Sequence, residues 1–335
     1  MSKSKEWAHL VKPLVAKAGP AGLYPRPRLW AEGKDWEGYD GHFSYGFLTE
    51  PGVCHPIEGA VAHPYDEVLV FAGTELADIL TLGAEMSIEL GEEREEHIFD
   101  VPTVVSIPKG LPHGQVRVRK IGSEAVAHYL FGLAAQYQAE VIPAKSLPPR
   151  TTGLKYAHLV HPLRTSRSPE VMAATHANDP GLLARIEAAR SQHGREYDDS
   201  RGVLHPRDFE GPGSADSMIC MFGEDLNGFR FNFTWGFYSS TGGAGTDTDR
   251  SNEGHTHPEP EALIWVGLNP GDLNYLGAEI ELALGPGLER HVFSTPTCVV
   301  CAGDFVHTPL ITRRVDNPYV FLIGLLAEEY VGLPG

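Results

Sequence analysis

His257-Pro-Glu-Pro-Glu261-Ala-Leu-Ile-Trp-Val-Gly267 restates a stretch that lies 194 residues earlier, His63-Pro-Tyr-Asp-Glu67-Val-Leu-Val-Phe-Ala-Gly73. Five of the eleven positions are identical, and most of the others exchange one apolar residue for another. The same offset aligns Leu82-Gly-Ala-Glu85 with Leu276-Gly-Ala-Glu279 and Leu90-Gly91 with Leu284-Gly285. It also aligns His97, Phe99, Pro102, Thr103 and His113 with His291, Phe293, Pro296, Thr297 and His307. One register held over so long a span marks a duplicated domain, and a duplication decides the architecture before any single element is read.

Working outward, Trp7-Ala-His-Leu-Val-Lys-Pro-Leu14 matches Tyr156-Ala-His-Leu-Val-His-Pro-Leu163 at an offset of 149, and Tyr45-Gly-Phe47 matches Trp235-Gly-Phe237 at 190. Each repeat therefore begins with an arm, which can cross to the other repeat. The expected domains are 1–150 and 151–335. The jump from 149 to 190 places an insertion of 41 residues within about 164–225 of the second. Inside it Asp179 can cap a helix, Pro180 suits the first helical position, Leu182, Leu183, Ile186 and Ala189 form an apolar face, and Gly194 ends the run. That helix would cover a sheet edge.

The remaining pattern is one of short apolar runs bounded by Gly, Pro or Asp. Val68–Ala72, Val101–Ile107, Ala125–Leu133, Leu263–Val266 and Thr297–Cys301 read as buried strands; Val320–Leu326 fits a strand or a helix. The 37 Gly and 26 Pro agree with many turns between short strands, and 335 residues suffice for two cores. The fold class is all-β.

Chemistry concentrates in the second repeat. Gly254-His255-Thr-His257-Pro-Glu-Pro-Glu261 precedes Gly303-Asp-Phe-Val-His307. Alternation along a strand directs His255 and His257 to one face, and strands bearing Glu261 and His307 can close the set around one ion. Imidazole with carboxylate suits iron, manganese, zinc, nickel or cobalt, whereas calcium and magnesium prefer oxygen alone. In the first repeat Val61 stands in the place of His255, leaving His63, Glu67 and His113. The residues fit a second metal site, completed by His55 or Glu58, and equally a remnant kept for packing.

His255-x-His257-x-x-x-Glu261 resembles the first motif of the cupin superfamily, and Pro108-x-Gly110-x-x-His113 resembles the core of the second. The likeness covers roughly residues 40–135 and 230–327. It implies two tandem jelly-roll-like β-barrels, a bicupin, with His255, His257, Glu261 and His307 as ligands at the mouth of the second. In that repeat the Pro of the second motif is missing and Gly303 lies one residue further from its histidine, a departure that bears on how the His307 strand approaches.

Other repeated residues, His9 and His158, His97 and His291, Glu85 and Glu279, read as hydrogen-bonded packing groups, His291 being the outer-shell candidate. Tyr45 and Trp235 read as barrel filling, and Arg230, Arg313 and Arg314 as structural or solvent-facing. The cysteines, Cys54, Cys220, Cys298 and Cys301, are too few for a disulfide framework, and Cys298-Val-Val-Cys301 reads as packing within a strand.

The net charge of -17 disfavours nucleic acid and anionic membranes, and no run approaches the length of a membrane helix. A cytoplasmic location is expected, as a monomeric pseudo-dimer or a homo-oligomer. No GK[ST] glycine loop or GxSxG elbow occurs. The expected function is a metal-dependent enzyme acting on a small oxygenated molecule or carboxylate, with dioxygenation the first choice. A metal-dependent lyase or isomerase, or a non-catalytic bicupin that binds a small molecule or metal, is the alternative.

Overall fold

The computed structural model describes residues 5–20, 22–75, 79–122, 124–164, 215–243 and 254–334. The helix expected between Asp179 and Gly194 lies outside them. Among the described residues all long elements are strands, and the helical turns are short 3-10 segments. The run left open between strand and helix is a strand, Tyr319–Leu325, buried along its whole length between Asn232–Tyr238 and Glu261–Gly267. A fully buried strand reads as unbroken apolar sequence because both faces are covered.

One compact unit comprises residues 15–163 with 270–273. Its larger sheet has the order Val160–Pro162, Thr103–Ile107, Glu67–Ala72, Val126–Gly132, His42–Leu48, Arg28–Ala31, Ala16–Lys17. Facing it is a smaller sheet of Glu140–Ile142, Ala60–Ala62, His113–Ile121, Ala84–Leu90 and Glu95–Phe99, with Gly52–His55 also paired to His113–Ile121. Leu69, Phe71, Val105 and Leu130 from the first sheet and Met86, Ile88 and Val116 from the second share one buried cluster.

The other unit comprises residues 1–14, 164–269 and 274–335. Its larger sheet runs Val11–Pro13, Thr297–Cys301, Glu261–Gly267, Tyr319–Leu325, Asn232–Tyr238, Ala215–Met221. The smaller runs Glu289–Phe293, Ala278–Leu284, His307–Val315, His255–Thr256, Leu333–Pro334, with Gly242–Gly243 paired to His307–Val315. Seven strands, from Glu67–Ala72 onwards in the first unit, have counterparts in the second in the same order, as the repeat requires.

The arms are exchanged. Val11–Pro13, at the start of the chain, pairs with Thr297–Cys301, while Val160–Pro162 pairs with Thr103–Ile107. Each arm closes with the same bond, Leu14 N–H to Pro296 O and Leu163 N–H to Pro102 O, both 2.8 Å. Each is also anchored by a carboxylate at its root. Glu289 accepts the backbone N–H groups of Glu6 (2.9 Å) and Trp7 (3.2 Å), and Glu95 those of Lys155 (3.3 Å) and Tyr156 (3.1 Å). The arm rings lie over Gly285 and Gly91, where a Cβ would sit 2.2 Å from Trp7 and from Tyr156.

This explains several repeated residues. His291, the outer-shell candidate, pairs with an arm anchor: its Nε2 lies 2.8 Å from Glu289, as that of His97 lies 2.9 Å from Glu95. Both histidines serve the arm anchors. Tyr45 and Trp235 are fully buried, but they pair with Tyr129 and Leu322, whose neighbours Leu130 and Ile323 are the ones that join the buried clusters between the sheets. Alternation along the strand therefore puts them on the face away from that core. Arg230, Arg313 and Arg314 pair with Glu259, Glu281 and Asp316.

Candidate metal centres

In the second unit His255 is the direct cross-strand partner of His307, with ring centroids 4.3 Å apart. A turn containing Pro258 and Pro260 then brings His257 and Glu261 alongside. One ligand atom from each of His255, His257 and His307 lies within 4.8 Å of the others. Glu261 closes the set, its two oxygens 3.4 Å from His257 Nε2 and 2.9 Å from His307 Nε2. The four expected residues thus meet at one place.

The altered second motif does not disturb this. Gly110 turns with φ +77° and gives its N–H to His63 O at 2.7 Å. In the second unit Asp304 takes that position with φ +61° and gives its N–H to His257 O at 2.6 Å. Aspartate is among the few L residues that tolerate the left-handed region, so the turn survives without the glycine.

The first unit has an equally complete set, assembled differently. Val61 pairs with His113 as His255 pairs with His307, so the position is empty of a ligand. The missing imidazole comes from His55, at the end of the neighbouring strand Gly52–His55, which runs against Val116–Val118. His55, His63 and His113 each bring a ligand atom within 4.8 Å of the others, and Glu67 lies 3.5 Å from His63 Nε2 and 3.3 Å from His113 Nε2. Glu58, the other candidate, is exposed.

The hydrogen bonds fix which ring nitrogens face inward. Nδ1 of His55, His63 and His113 donates to the carbonyls of Leu23 (3.3 Å), Gln138 (2.6 Å) and Leu111 (3.2 Å). In the second unit Nδ1 of His257 and His307 donates to Val331 O (2.9 Å) and Phe305 O (3.1 Å), and that of His255 meets Thr308 Oγ1 at 3.0 Å. Bonds of this kind orient a metal-binding imidazole and leave Nε2 as a bare donor. Accordingly Nε2 of His55, His63 and His113, with both oxygens of Glu67, are sealed from solvent without a hydrogen-bond partner. The same holds for Nε2 of His257 and His307 and both oxygens of Glu261. Orphaned buried polar atoms are costly, and converging lone pairs are what a cation would satisfy. The donor chemistry of both clusters fits a divalent transition metal.

Charge states agree with that reading in the first unit. Burial pushes the His55 imidazole down to about 3 and lowers His63, which keeps both neutral. Burial alone would raise the Glu67 carboxyl, but His63 and His113 outweigh it and hold it at about 2. In the second, burial would lower His307, yet Cys301 and Glu261 beside it carry it upward.

Two features escaped the sequence reading. Cys301, read as packing, has its sulfur within 4.8 Å of ligand atoms of Glu261 and His307. Aromatic rings wall the first cluster: Tyr24 stacks on His55 (4.5 Å), Tyr65 stacks on His63 (5.1 Å), and Tyr137 stands edge-on to His63 (5.1 Å). The hydroxyls of Tyr24 and Tyr137 are closed to solvent and lack a hydrogen-bond partner among the described residues. Their positions before and after the repeat motifs carry no periodic signal by which they could be found.

Two facing sheets in each of two tandem barrels, with the histidines and glutamate clustered on them, define the fold: it is that of a bicupin. Among solved structures the chain resembles an oxalate decarboxylase described for a structural element that modulates proton-coupled electron transfer. The identity is 10%, with 97% of this chain and 78% of that one covered and a TM-score of 0.52. It also resembles the Lactobacillus farciminis oxalate decarboxylase formate complex, at 12% identity, 92% and 83% coverage and a TM-score of 0.51. A mutant of the Bacillus subtilis oxalate decarboxylase aligns at 10% identity, 92% and 74% coverage and a TM-score of 0.50. No protein-family model matches the chain, and no curated protein matches its sequence. No helix among the described residues is long and apolar enough to cross a membrane.

Proposed function

We propose that the protein is a metal-dependent lyase acting on a small carboxylate, with a carbon–carbon bond next to a carboxyl group as the bond broken. The observation that carries this reading is the gathering of three imidazole nitrogens and a carboxylate in each barrel, the donor atoms of His55, His63, His113 and Glu67 in the first being buried and otherwise unsatisfied. Dioxygenation was the first expectation from the same donor set, which serves several reactions. Two-barrel structures that this chain resembles carry the name oxalate decarboxylase, and one of them is a formate complex, which favours lyase chemistry over dioxygenation.

A bound divalent ion would supply a Lewis acid for the substrate's oxygen atoms. The residues of the chain do the rest. His55, His63, His113 and Glu67 would hold it in the first barrel, and His255, His257, Glu261 and His307 in the second. The Tyr24 and Tyr137 hydroxyls, both placed where they feel the charge of Glu67, are donors suited to a substrate carboxylate. The surrounding rings exclude water, which strengthens those contacts.

The test is to load the protein with single divalent metals and offer small mono- and dicarboxylates. Carbon dioxide release and substrate loss are followed beside an oxygen electrode. Substrate loss with carbon dioxide release and no matching oxygen consumption supports a lyase, and His63→Ala or His257→Ala should abolish the contribution of its own barrel. Oxygen uptake equal to substrate loss would restore the dioxygenase reading. Metal retention with no turnover of any carboxylate would point to a binding protein.

A further inference from the structure

We propose that the metal centre of the second barrel includes Cys301 as a thiolate ligand. It therefore takes a thiophilic divalent ion such as zinc or cobalt, while the first centre is built of nitrogen and oxygen donors alone. The inference rests on the metal reading above and adds a ligand that the cupin motifs do not contain.

Cys301 ends the strand Thr297–Cys301 and is the cross-strand partner of Glu261, so both side chains lie on the same face of the sheet. Its sulfur, an oxygen of Glu261 and a ring nitrogen of His307 are mutually within 4.8 Å. Thiolate and imidazole on one tetrahedral zinc ion, at bond lengths of ~2.3 and ~2.1 Å, stand ~3.6 Å apart, so a shift of about 1 Å at most brings the sulfur to the ion. The sulfur is thus close to ligand range. Packing alone accounts for the burial of Cys301, since a free thiol behaves as a small apolar group. It does not account for placing that sulfur within reach of a ring nitrogen of His307 and an oxygen of Glu261, both buried.

Position 301 is also where the duplicated centres diverge. Ile107 pairs with Glu67 as Cys301 pairs with Glu261, and isoleucine offers no donor. Cys298, the other half of the CxxC, pairs with Ile264, three residues along the strand and hence on the opposite face. The pair cannot chelate one ion together, and the relevant partners of Cys301 are Glu261 and His307. A soft sulfur donor shifts preference towards zinc, cobalt or nickel and away from magnesium or manganese. Coordination would release the thiol proton to solvent.

The experiment uses the full chain stripped of metal and reloaded with cobalt(II). A near-ultraviolet thiolate-to-cobalt charge-transfer band is expected. Cys301→Ser and Cys301→Ala should lose it, while Cys54→Ser, Cys298→Ser and His63→Ala keep it. Zinc affinity of the second barrel in Cys301→Ser should fall by at least the roughly 10–100-fold that losing an outer-shell partner costs. Cobalt bound in the second barrel without the band, or a band that survives in both Cys301 variants, overturns the thiolate ligand and leaves the metal reading intact. Failure of both barrels to retain cobalt overturns the thiolate ligand and the metal reading together.

Discussion

Truncating His55 to alanine tests the first centre most directly, because the sequence motif has no ligand there and the structure supplies one from another strand. The ring is fully buried, stacked on Tyr24 at 4.5 Å and tethered through Nδ1 to Leu23 O. Deleting such a side chain costs the metal-free protein about 2–4 kcal/mol, through lost packing and the cavity left behind. A second loss is specific to the metal. An ion present at about 100–1,000 times its dissociation constant stabilises the folded state by about 2.7–4.1 kcal/mol. In a domain of this size each kcal/mol is worth about 2–4 °C, so the metal-dependent rise in Tm, about 5–16 °C, should vanish from the first barrel. Elemental analysis with calorimetry, with and without chelator, reads both effects. Wild type should carry two ions per chain and His55→Ala one, while the exposed Glu58→Ala keeps both. If His55→Ala retained the wild-type metal content and chelator shift, His55 would be a packing residue and the four-donor reading of the first barrel would fail.

Three further outcomes follow from the same geometry. Val61→His in the His55→Ala background should restore the second ion by metal analysis, because Val61 pairs with His113 as His255 does with His307. The metal-free protein should lose stability as pH falls: His55 is held at about 3 against about 6.5 in the unfolded chain, so the unfolded state binds the extra proton between those values. That stability is complete above about pH 6.5 and lost towards 3, and Glu67, held at about 2, adds to the loss below about 4.5. Denaturant titrations at about pH 7 and about pH 5 should show the drop, reduced in His55→Ala but retaining its sign, since burial also lowers His42, His63 and His128. Gly285→Ala should loosen the N-terminal arm, combining about 1–2 kcal/mol for an L residue at φ +72° with a clash against Trp7. Limited proteolysis should then cut before Leu14 while the rest of the chain stays resistant.

The sequence by itself determined the duplication and the two-barrel fold, and it named His255, His257, Glu261 and His307 as one candidate set. Motif spacing and strand alternation carry that information locally, because partners that must face one point recur at a fixed distance along the chain. Tertiary structure alone decided the rest. It selects His55 over the exposed Glu58 to stand in for the ligand absent at Val61, brings Cys301 to the second cluster through cross-strand pairing with Glu261, and shows that each arm does pair with the other half. These depend on which strands become neighbours and on which face each side chain emerges. Contacts between positions far apart in the chain leave no period in a single sequence from which they could be read.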